Sequence, residues 1–354
     1  MQIPKRLKSG DTVAIVSLSS GILGESFMEE QRGLIEKRLN EFGLKVIYGP
    51  HALASLDYID VHPEKRASDL KWAFNQDNVA MVLCAIGGRD TYRTLPYLLE
   101  DSKFIKLVAQ HPKVFLGYSD SSINHLMFQK LGLASYYGMS AIVDFGELDE
   151  EMLPYSKNWF SKMFTNEIPE ITSSPIWYEE RTQFGSEIIG IPRISHPETH
   201  GFESLFGNGT VTGTLFGGCL ESIGDLLLGD VYDDEKEIAE RYDLLPTDMT
   251  GKILFLETSE EKPSPDRVRI VLNAMKIHGL FTNLTALIIG KPQDEAYYDD
   301  YKAIYVELGQ ELQLPILYNL NFGHAHPHCI LPIGQDIMID FNHHKVQLLS
   351  SLAD

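Results

Sequence analysis

The chain has 354 residues, long for one hydrophobic core and matched to two domains of ordinary size. Its 30 basic and 50 acidic residues give a formal charge of −20, which argues against a nucleic-acid backbone or an anionic membrane surface as partner. No apolar run reaches the roughly 18 residues of a membrane-spanning helix. Cys84, Cys219 and Cys329 are odd in number, far apart and set in apolar contexts, so neither a disulfide framework nor a Cys-type zinc site is expected. The basic start, Lys5-Arg6-Leu7-Lys8, passes to Gly10-Asp11 without the apolar core of a signal peptide, and a cytoplasmic protein is expected.

The first half alternates strand and helix. Residues 12–19 read as a buried strand ending in Ser19-Ser20-Gly21, and Phe27, Leu34, Ile35, Leu39 and Phe42 have helical spacing closed by Gly43. A strand over 44–48, a helix through Ala67, Leu70, Ala73 and Phe74, a strand over 79–86 and a short helix over 92–99 follow. The strand 114–116 then leads into a helix over 123–131. Continuous apolar strands separated by helices predict a parallel sheet covered on both faces, whose ligands bind at the carboxyl ends of the strands. Small or polar residues stand at three such ends: Ser19-Ser20-Gly21, Gly87-Gly88 and Gly117-Tyr118-Ser119-Asp120.

Residues 147–208 are rich in Ser, Pro, Glu and aromatic residues, with weak periodicity, and read as a linker plus a long loop. A second unit begins near Gly209, with a strand over 211–215, Gly217-Gly218, a helix over 220–228 and a strand over 253–256 ending in Glu257. A helix over 266–278, a strand over 286–289, a helix over 303–312, a strand over 315–317 and two strand-like runs around Ile337 and Val346 complete it. The acidic runs Asp233-Asp234-Glu235 and Asp299-Asp300 lack calcium-loop spacing and read as solvated loops.

Ser119 is the candidate nucleophile. A serine on a sharp strand-to-helix corner has its hydroxyl lifted out of the fold, with neighbouring backbone N–H groups aimed at a common point, as acyl transfer needs. The alternative is a turn followed by a serine N-cap. Glu257, at the end of a buried strand, needs a partner unless it faces water, and His324 lies in Gly323-His324-Ala325-His326-Pro327-His328 just after another strand. Ser119, Glu257 and His324 follow the Ser, acid, His chain order of α/β-hydrolases.

Gly10-Asp11-Thr12-Val13-Ala14-Ile15-Val16, Ala85-Ile86-Gly87-Gly88, Gly117-Tyr118-Ser119-Asp120 and Gly213-Thr214-Leu215-Phe216-Gly217-Gly218 occur in that order. Ile253-Leu254-Phe255-Leu256-Glu257, Ile289-Gly290-Lys291, Phe322-Gly323-His324 and Leu331-Pro332-Ile333-Gly334 follow. The resemblance that these motifs carry is to the LD-carboxypeptidase family of serine peptidases (muramoyltetrapeptide carboxypeptidases), most of all its branch of microcin C immunity proteins. It implies a catalytic triad of Ser119, Glu257 and His324, with the N–H groups of Gly88 and Asp120 as oxyanion donors. It implies an α/β fold: a flavodoxin-like parallel-sheet domain over 1–165 carrying the nucleophile, the linker and loop over 166–208, and a C-terminal α/β domain with a mixed sheet over 209–354. The active site is then expected in the cleft between the domains, without cofactor or metal, in a homodimer working in peptidoglycan recycling.

The expected activity is LD-carboxypeptidase cleavage of a murein-derived peptide; the alternative substrate is an aminoacyl or peptidyl nucleotide. Gly87, Arg89, Trp177, Phe202 and Cys219 are candidate substrate contacts, with Arg93 a second possible cation. Cys219 stands where the family usually has Asn, and it reads as a packed small residue rather than a second nucleophile. Gly201-Phe202-Glu203-Ser204-Leu205-Phe206 offers phenylalanine and no arginine where the immunity branch carries an aromatic-basic segment. Two rival readings are a metallohydrolase using His324, His326, His328 and Glu257, against which Pro327 interrupts the strand, and a catalytically silent ligand-binding protein.

Overall fold

The computed structural model describes residues 1–183 and 185–354, and these form two compact units. The first comprises residues 1–166, 181–193 and 352–354; the second, residues 167–180 and 194–351.

In the first unit, β1 (Thr12–Val16), β2 (Lys45–Tyr48), β3 (Val79–Cys84), β4 (Val114–Gly117) and β5 (Ser135–Tyr137) pair in parallel in the order β5-β4-β3-β1-β2. This is the flavodoxin-like order expected of the doubly wound class. The strands are short apolar runs because both faces are covered, and Val13, Ile15, Val82, Leu83, Phe115 and Leu116 are buried. The helices are α1 (Glu29–Glu41), α2 (Leu56–Val61), α3 (Pro63–Phe74), α4 (Leu95–Leu99), α5 (Ser102–Gln110), α6 (Ser122–Lys130) and α7 (Pro154–Ser161). Of these, α2, α5 and α7 were not expected, although α5 has a clear start: the Asp101 carboxylate accepts from the N–H groups of Lys103 and Phe104.

The second unit holds β6 (Glu170–Ile171), β7 (Ile176–Tyr178), β8 (Ser195–Pro197), β9 (Glu203–Phe206), β10 (Thr210–Cys219), β11 (Lys252–Glu257), β12 (Ala286–Gly290), β13 (Ile316–Leu320), β14 (Leu331–Ile333), β15 (Asp336–Asp340) and β16 (Lys345–Leu348). Eight of these form one mixed sheet, β6-β16-β15-β10-β11-β12-β13-β9, parallel from β10 to β13 and antiparallel toward both edges. Its helices are α8 (Leu220–Leu228), α9 (Glu235–Arg241), α10 (Pro265–His278) and α11 (Tyr298–Leu312).

Two expectations need correction. The segment 166–208 is not an unstructured linker and loop: β6 and β9 supply both edges of the mixed sheet, and β7 and β8 form their own ribbon. Strands this short leave too few residues for a period to show. Residues 181–193 are anchored in the first unit, where Glu147 takes Arg181 (2.7 Å) and Arg193 (2.5 Å) on separate oxygens. The acidic runs are solvated loops only in part: Asp233 and Asp234 are exposed in a turn, and the other three residues are helical. Glu235 opens α9 and is buried, while Asp299 and Asp300 occupy the first turn of α11, where carboxylates favour the helix dipole.

One buried ion pair sets the geometry beside the strand ends of the first unit. Arg66, fully buried on α3, makes a bidentate contact with Asp90 at 2.6 and 2.9 Å and donates to the carbonyls of Leu18 and Ser19. Replacing Asp90 by Ala leaves that guanidinium without its counter-charge. The variant is expected to lose about 3–5 kcal/mol of unfolding free energy in urea titration; a loss below about 1 kcal/mol would contradict the pair's assigned role.

Candidate active site

Ser119 stands two residues beyond the end of β4, at the start of a helical turn, with φ at +63°, a left-handed conformation that costs a non-glycine residue free energy and marks a tight, enforced corner. The corner is held from several sides. The Ser119 N–H donates to Tyr137 Oη at 3.1 Å. His125, on α6, is buried and pushed down to about 4 by desolvation, so its ring is neutral at physiological pH. It contacts the Gly117 carbonyl at 3.0 Å through Nε2 and Ser135 Oγ at 2.8 Å through Nδ1, which fixes the end of β4.

Asp120 points its carboxylate away from the corner, into the fold. Its Oδ2 accepts from Ser19 Oγ at 2.5 Å and from the Thr91 N–H at 2.9 Å. One side chain thus ties together the segments after β1, β3 and β4. Burial is the largest influence on the Asp120 carboxyl and pushes it above the usual range despite the donors from Ser19 and Thr91.

Gly87 and Gly88 follow β3 beside this corner. A Cβ on Gly87 would stand 2.7 Å from both Cβ and Oγ of Ser119, so only glycine lets the backbone pass so close to the hydroxyl. The Gly87 carbonyl accepts from the Ser20 N–H at 3.2 Å. In a trans peptide C=O and N–H point oppositely, so the Gly88 N–H is turned away from Ser20. Gly88 itself has φ at +153°, and a Cβ there would run into Ser19 Oγ.

The second unit supplies an acid–histidine pair. Glu257 ends β11 in register with Cys219, the last residue of β10. Its Oε2 accepts from the His324 backbone N–H at 3.1 Å and meets His324 Nδ1 at 2.7 Å. Two glycines make room for this carboxylate. A Cβ on Gly290 would meet Glu257 Cβ at 2.8 Å, and one on Gly323 would strike Glu257 Cδ and Oε2 at 2.5 Å. Desolvation alone would push the His324 imidazole down; Glu257 on one nitrogen and Glu260, 3.0 Å from Nε2, outweigh it and hold the ring well above the ordinary histidine range.

Around this pair lies a polar network that the sequence reading missed. Glu221, in the first turn of α8, accepts from the Ser259 N–H at 2.8 Å and from Ser259 Oγ at 2.6 Å, pinning the segment that follows Glu257. Burial, chiefly, and then the charge of Glu257 push the Glu221 carboxyl up to about 7 against the pull of Ser259. The signal available was Glu257-Thr258-Ser259-Glu260-Glu261, an acidic cluster directly after a buried strand.

The first unit therefore gathers Gly87, Gly88, Ser119 and Asp120, and the second gathers Cys219, Glu257 and His324. Cys219 is buried, and desolvation with Glu221 and Glu257 holds its thiol well above its ordinary value, so it fits a packed small residue better than a nucleophile. Trp177 stacks on His196 with centroids 4.3 Å apart, and Lys291 Nζ lies 5.2 Å from its ring. Phe202 is only 6 % exposed and is a core side chain, not an open stacking platform. Arg89 is exposed, whereas Arg93 is committed to Asp90 and the Asp60 carbonyl. His324, His326 and His328 do not share a strand: His326 and His328 stack on each other at 4.6 Å while His324 turns to Glu257. Among the described residues, the ligand-type side chains that converge are Cys219, Glu257 and His324.

A serine held at a strained strand-to-helix corner and a histidine oriented by a buried glutamate are side chains of the kind a serine-type amide hydrolase uses. The LD-carboxypeptidase N-terminal domain matches residues 13–138 and its C-terminal domain residues 212–339, and the chain belongs to the LD-carboxypeptidase family, a family of serine carboxypeptidases. The crystal structure of an MccF-like protein from Streptococcus pneumoniae in complex with AMP is 45% identical, with a TM-score of 0.90, covering 96% of this chain and 98% of that one. The microcin C7 self-immunity protein MccF of Escherichia coli is 24% identical, over 97% of this chain and 94% of that protein. A probable murein peptide carboxypeptidase of Bacillus subtilis is 26% identical, over 94% and 89% respectively. No helix among the described residues is long and apolar enough to cross a membrane.

Two outcomes follow from this geometry. Gly87→Ala is expected to slow labelling of Ser119 by a phosphonylating probe at least about 10²-fold, because a sub-ångström displacement of a nucleophile is costly; an unchanged rate would show that the serine has room. Glu221 keeps its proton in the native state up to about pH 7, whereas the unfolded chain releases it near 4.5. Rising pH between these values therefore favours unfolding. Glu221→Gln removes that slope, so the variant should gain on the wild type by about 1–3 kcal/mol between pH 5 and pH 8 in urea titrations; a pH-independent difference would contradict the assignment.

Proposed function

We propose that this protein is a serine-type amide hydrolase in which Ser119 is the nucleophile, His324 its general base and Glu257 the residue that orients and charges the histidine. The observation that carries the reading is the Glu257–His324 pair: a buried carboxylate accepts from the N–H of one histidine and meets its Nδ1, which leaves Nε2 as the working nitrogen. In the reaction Ser119 Oγ adds to an amide carbonyl as its proton passes to His324 Nε2. The Gly88 and Asp120 N–H groups receive the developing oxyanion, and His324 returns the proton to the leaving amine. Water then attacks the acyl-enzyme by the same proton route. Asp120 serves through its backbone; its side chain only holds the surrounding segments in place.

The substrate class proposed first is a murein-derived peptide, cut as an LD-carboxypeptidase cuts it, in a cytoplasmic recycling role and as a homodimer, as in the family resemblance. The relation to the probable murein peptide carboxypeptidase supports this, and three buried free thiols fit a reducing compartment. A second substrate class, an aminoacyl nucleotide, is favoured by one specific observation: the MccF-like protein that is 45% identical was solved with AMP bound. Trp177 does not add to it, because its side chain is buried and its ring is already stacked on His196.

The test is a paired mass-spectrometric assay of the protein and its Ser119→Ala variant with a muropeptide tetrapeptide ending in an L,D bond and with an aminoacyl-sulfamoyl adenosine. Serine-dependent loss of terminal D-alanine is the expected result for the first class; serine-dependent release of the amino acid is expected for the second. Loss of Ser119 should reduce either rate by at least about 10³-fold. Cleavage that survives in Ser119→Ala would overturn the mechanism.

A further inference from the structure

Both ring nitrogens of His324 face carboxylates: Nδ1 is 2.7 Å from Glu257, and Nε2 is 3.0 Å from Glu260. An ionised carboxylate only accepts hydrogen bonds, and a neutral imidazole has one N–H to give. A neutral ring would therefore turn its lone pair on one of the two carboxylates, while the imidazolium satisfies both. Yet Nε2 is the atom that must accept the proton of Ser119, and it can do so only when deprotonated and uncovered.

The two carboxylates are held very differently. Glu257 has no exposed side-chain surface and is boxed in by Gly290 and Gly323. Glu260 is 51% exposed. Its backbone belongs to a turn in which the Lys262 N–H donates to the Ser259 carbonyl at 3.1 Å. That turn is anchored on one side by Ser259 on Glu221 and on the other by Lys262 on Asp294 at 2.7 Å. With the backbone pinned, the Glu260 side chain is the part able to swing, on the fast timescale of exposed rotamers.

We propose that Glu260 is a resting-state cap on the general base: it holds His324 as a doubly hydrogen-bonded imidazolium in the substrate-free enzyme, and turnover requires its side chain to leave Nε2. As it leaves, the Nε2 proton passes by way of the half-exposed Glu260 carboxylate to solvent water, and the neutral ring is then free to take the proton of Ser119. The proposal rests on the Ser119–His324 reading above. The groups that face the ring are Glu257 at the end of β11, Glu260 in the turn beyond it, Glu221 from α8, the Cys219 thiol from the end of β10 and Glu180 after β7. Replacing Glu260 with a neutral residue leaves the others and lowers the ring's proton affinity.

The experiment is a titration of the full-length protein labelled with ¹⁵N-histidine, as wild type, Glu260→Gln and Glu260→Ala, with His324→Gln used to assign the ring. His324 is expected to lose its proton about one pH unit lower in both Glu260 variants. The acid limb of kcat/KM should move the same way, giving up to about a tenfold gain below the wild-type inflection and none above it. A His324 titration identical in all three proteins would overturn the cap. A shifted ring with an unshifted rate profile would overturn its part in turnover. Failure of the mechanism itself is seen separately, as hydrolysis that persists in Ser119→Ala while the ring titration still shifts.

Discussion

A carboxylate buried at the end of a strand must be given donors or lose its charge, and Glu257 takes two donors from a single residue, His324. Much of the second unit is arranged around this requirement. Glycine at 290 and at 323 opens the volume that the carboxylate fills, and the positive φ of Gly323 turns the chain so that the next residue can offer its N–H and its ring together. The parallel register of β10 and β11 places Cys219 beside Glu257. Because the histidine is gripped through both backbone and Nδ1, its tautomer and tilt are set before any substrate arrives, which is the preorganisation that proton transfer requires.

The first unit solves a different problem, which is to hold a serine in an unfavourable conformation. A left-handed Ser119 persists because its surroundings leave no alternative. Gly87 presses against its side chain, Tyr137 takes its N–H, and the buried carboxylate of Asp120 ties neighbouring segments to the corner. Beneath these lies the Arg66–Asp90 pair, whose guanidinium also collects the carbonyls of Leu18 and Ser19. Strain at the serine and charge burial at Arg66 are thus two parts of one scaffold.

The central strands and the candidate residues could be read from the sequence because each leaves a local mark. An apolar run of four to six residues ending in glycine or a lone polar residue is visible at Gly117, Glu257 and Gly290. What escaped was set by distant contacts. The strands within 166–208 are two to four residues long, β6 and β9 held by sheet edges elsewhere and β7 and β8 by each other, so no period announces them. Phe202 is a candidate substrate contact through the family resemblance, and its burial is set by contacts that leave no mark on the sequence around it. Glu221 and Glu260 look like ordinary surface carboxylates; their importance comes from Ser259 and His324, 38 and 64 positions along the chain.

The measurement that tests the central claim most directly is the site and pH dependence of labelling by a phosphonylating probe, read by peptide mass mapping in the wild type, His324→Ala and Glu257→Gln. A serine activated by an oriented histidine should be labelled at Ser119, with a rate that rises with pH through a single ionisation and collapses in both variants. Labelling at another residue, or labelling of Ser119 that is indifferent to the loss of His324, would contradict the account.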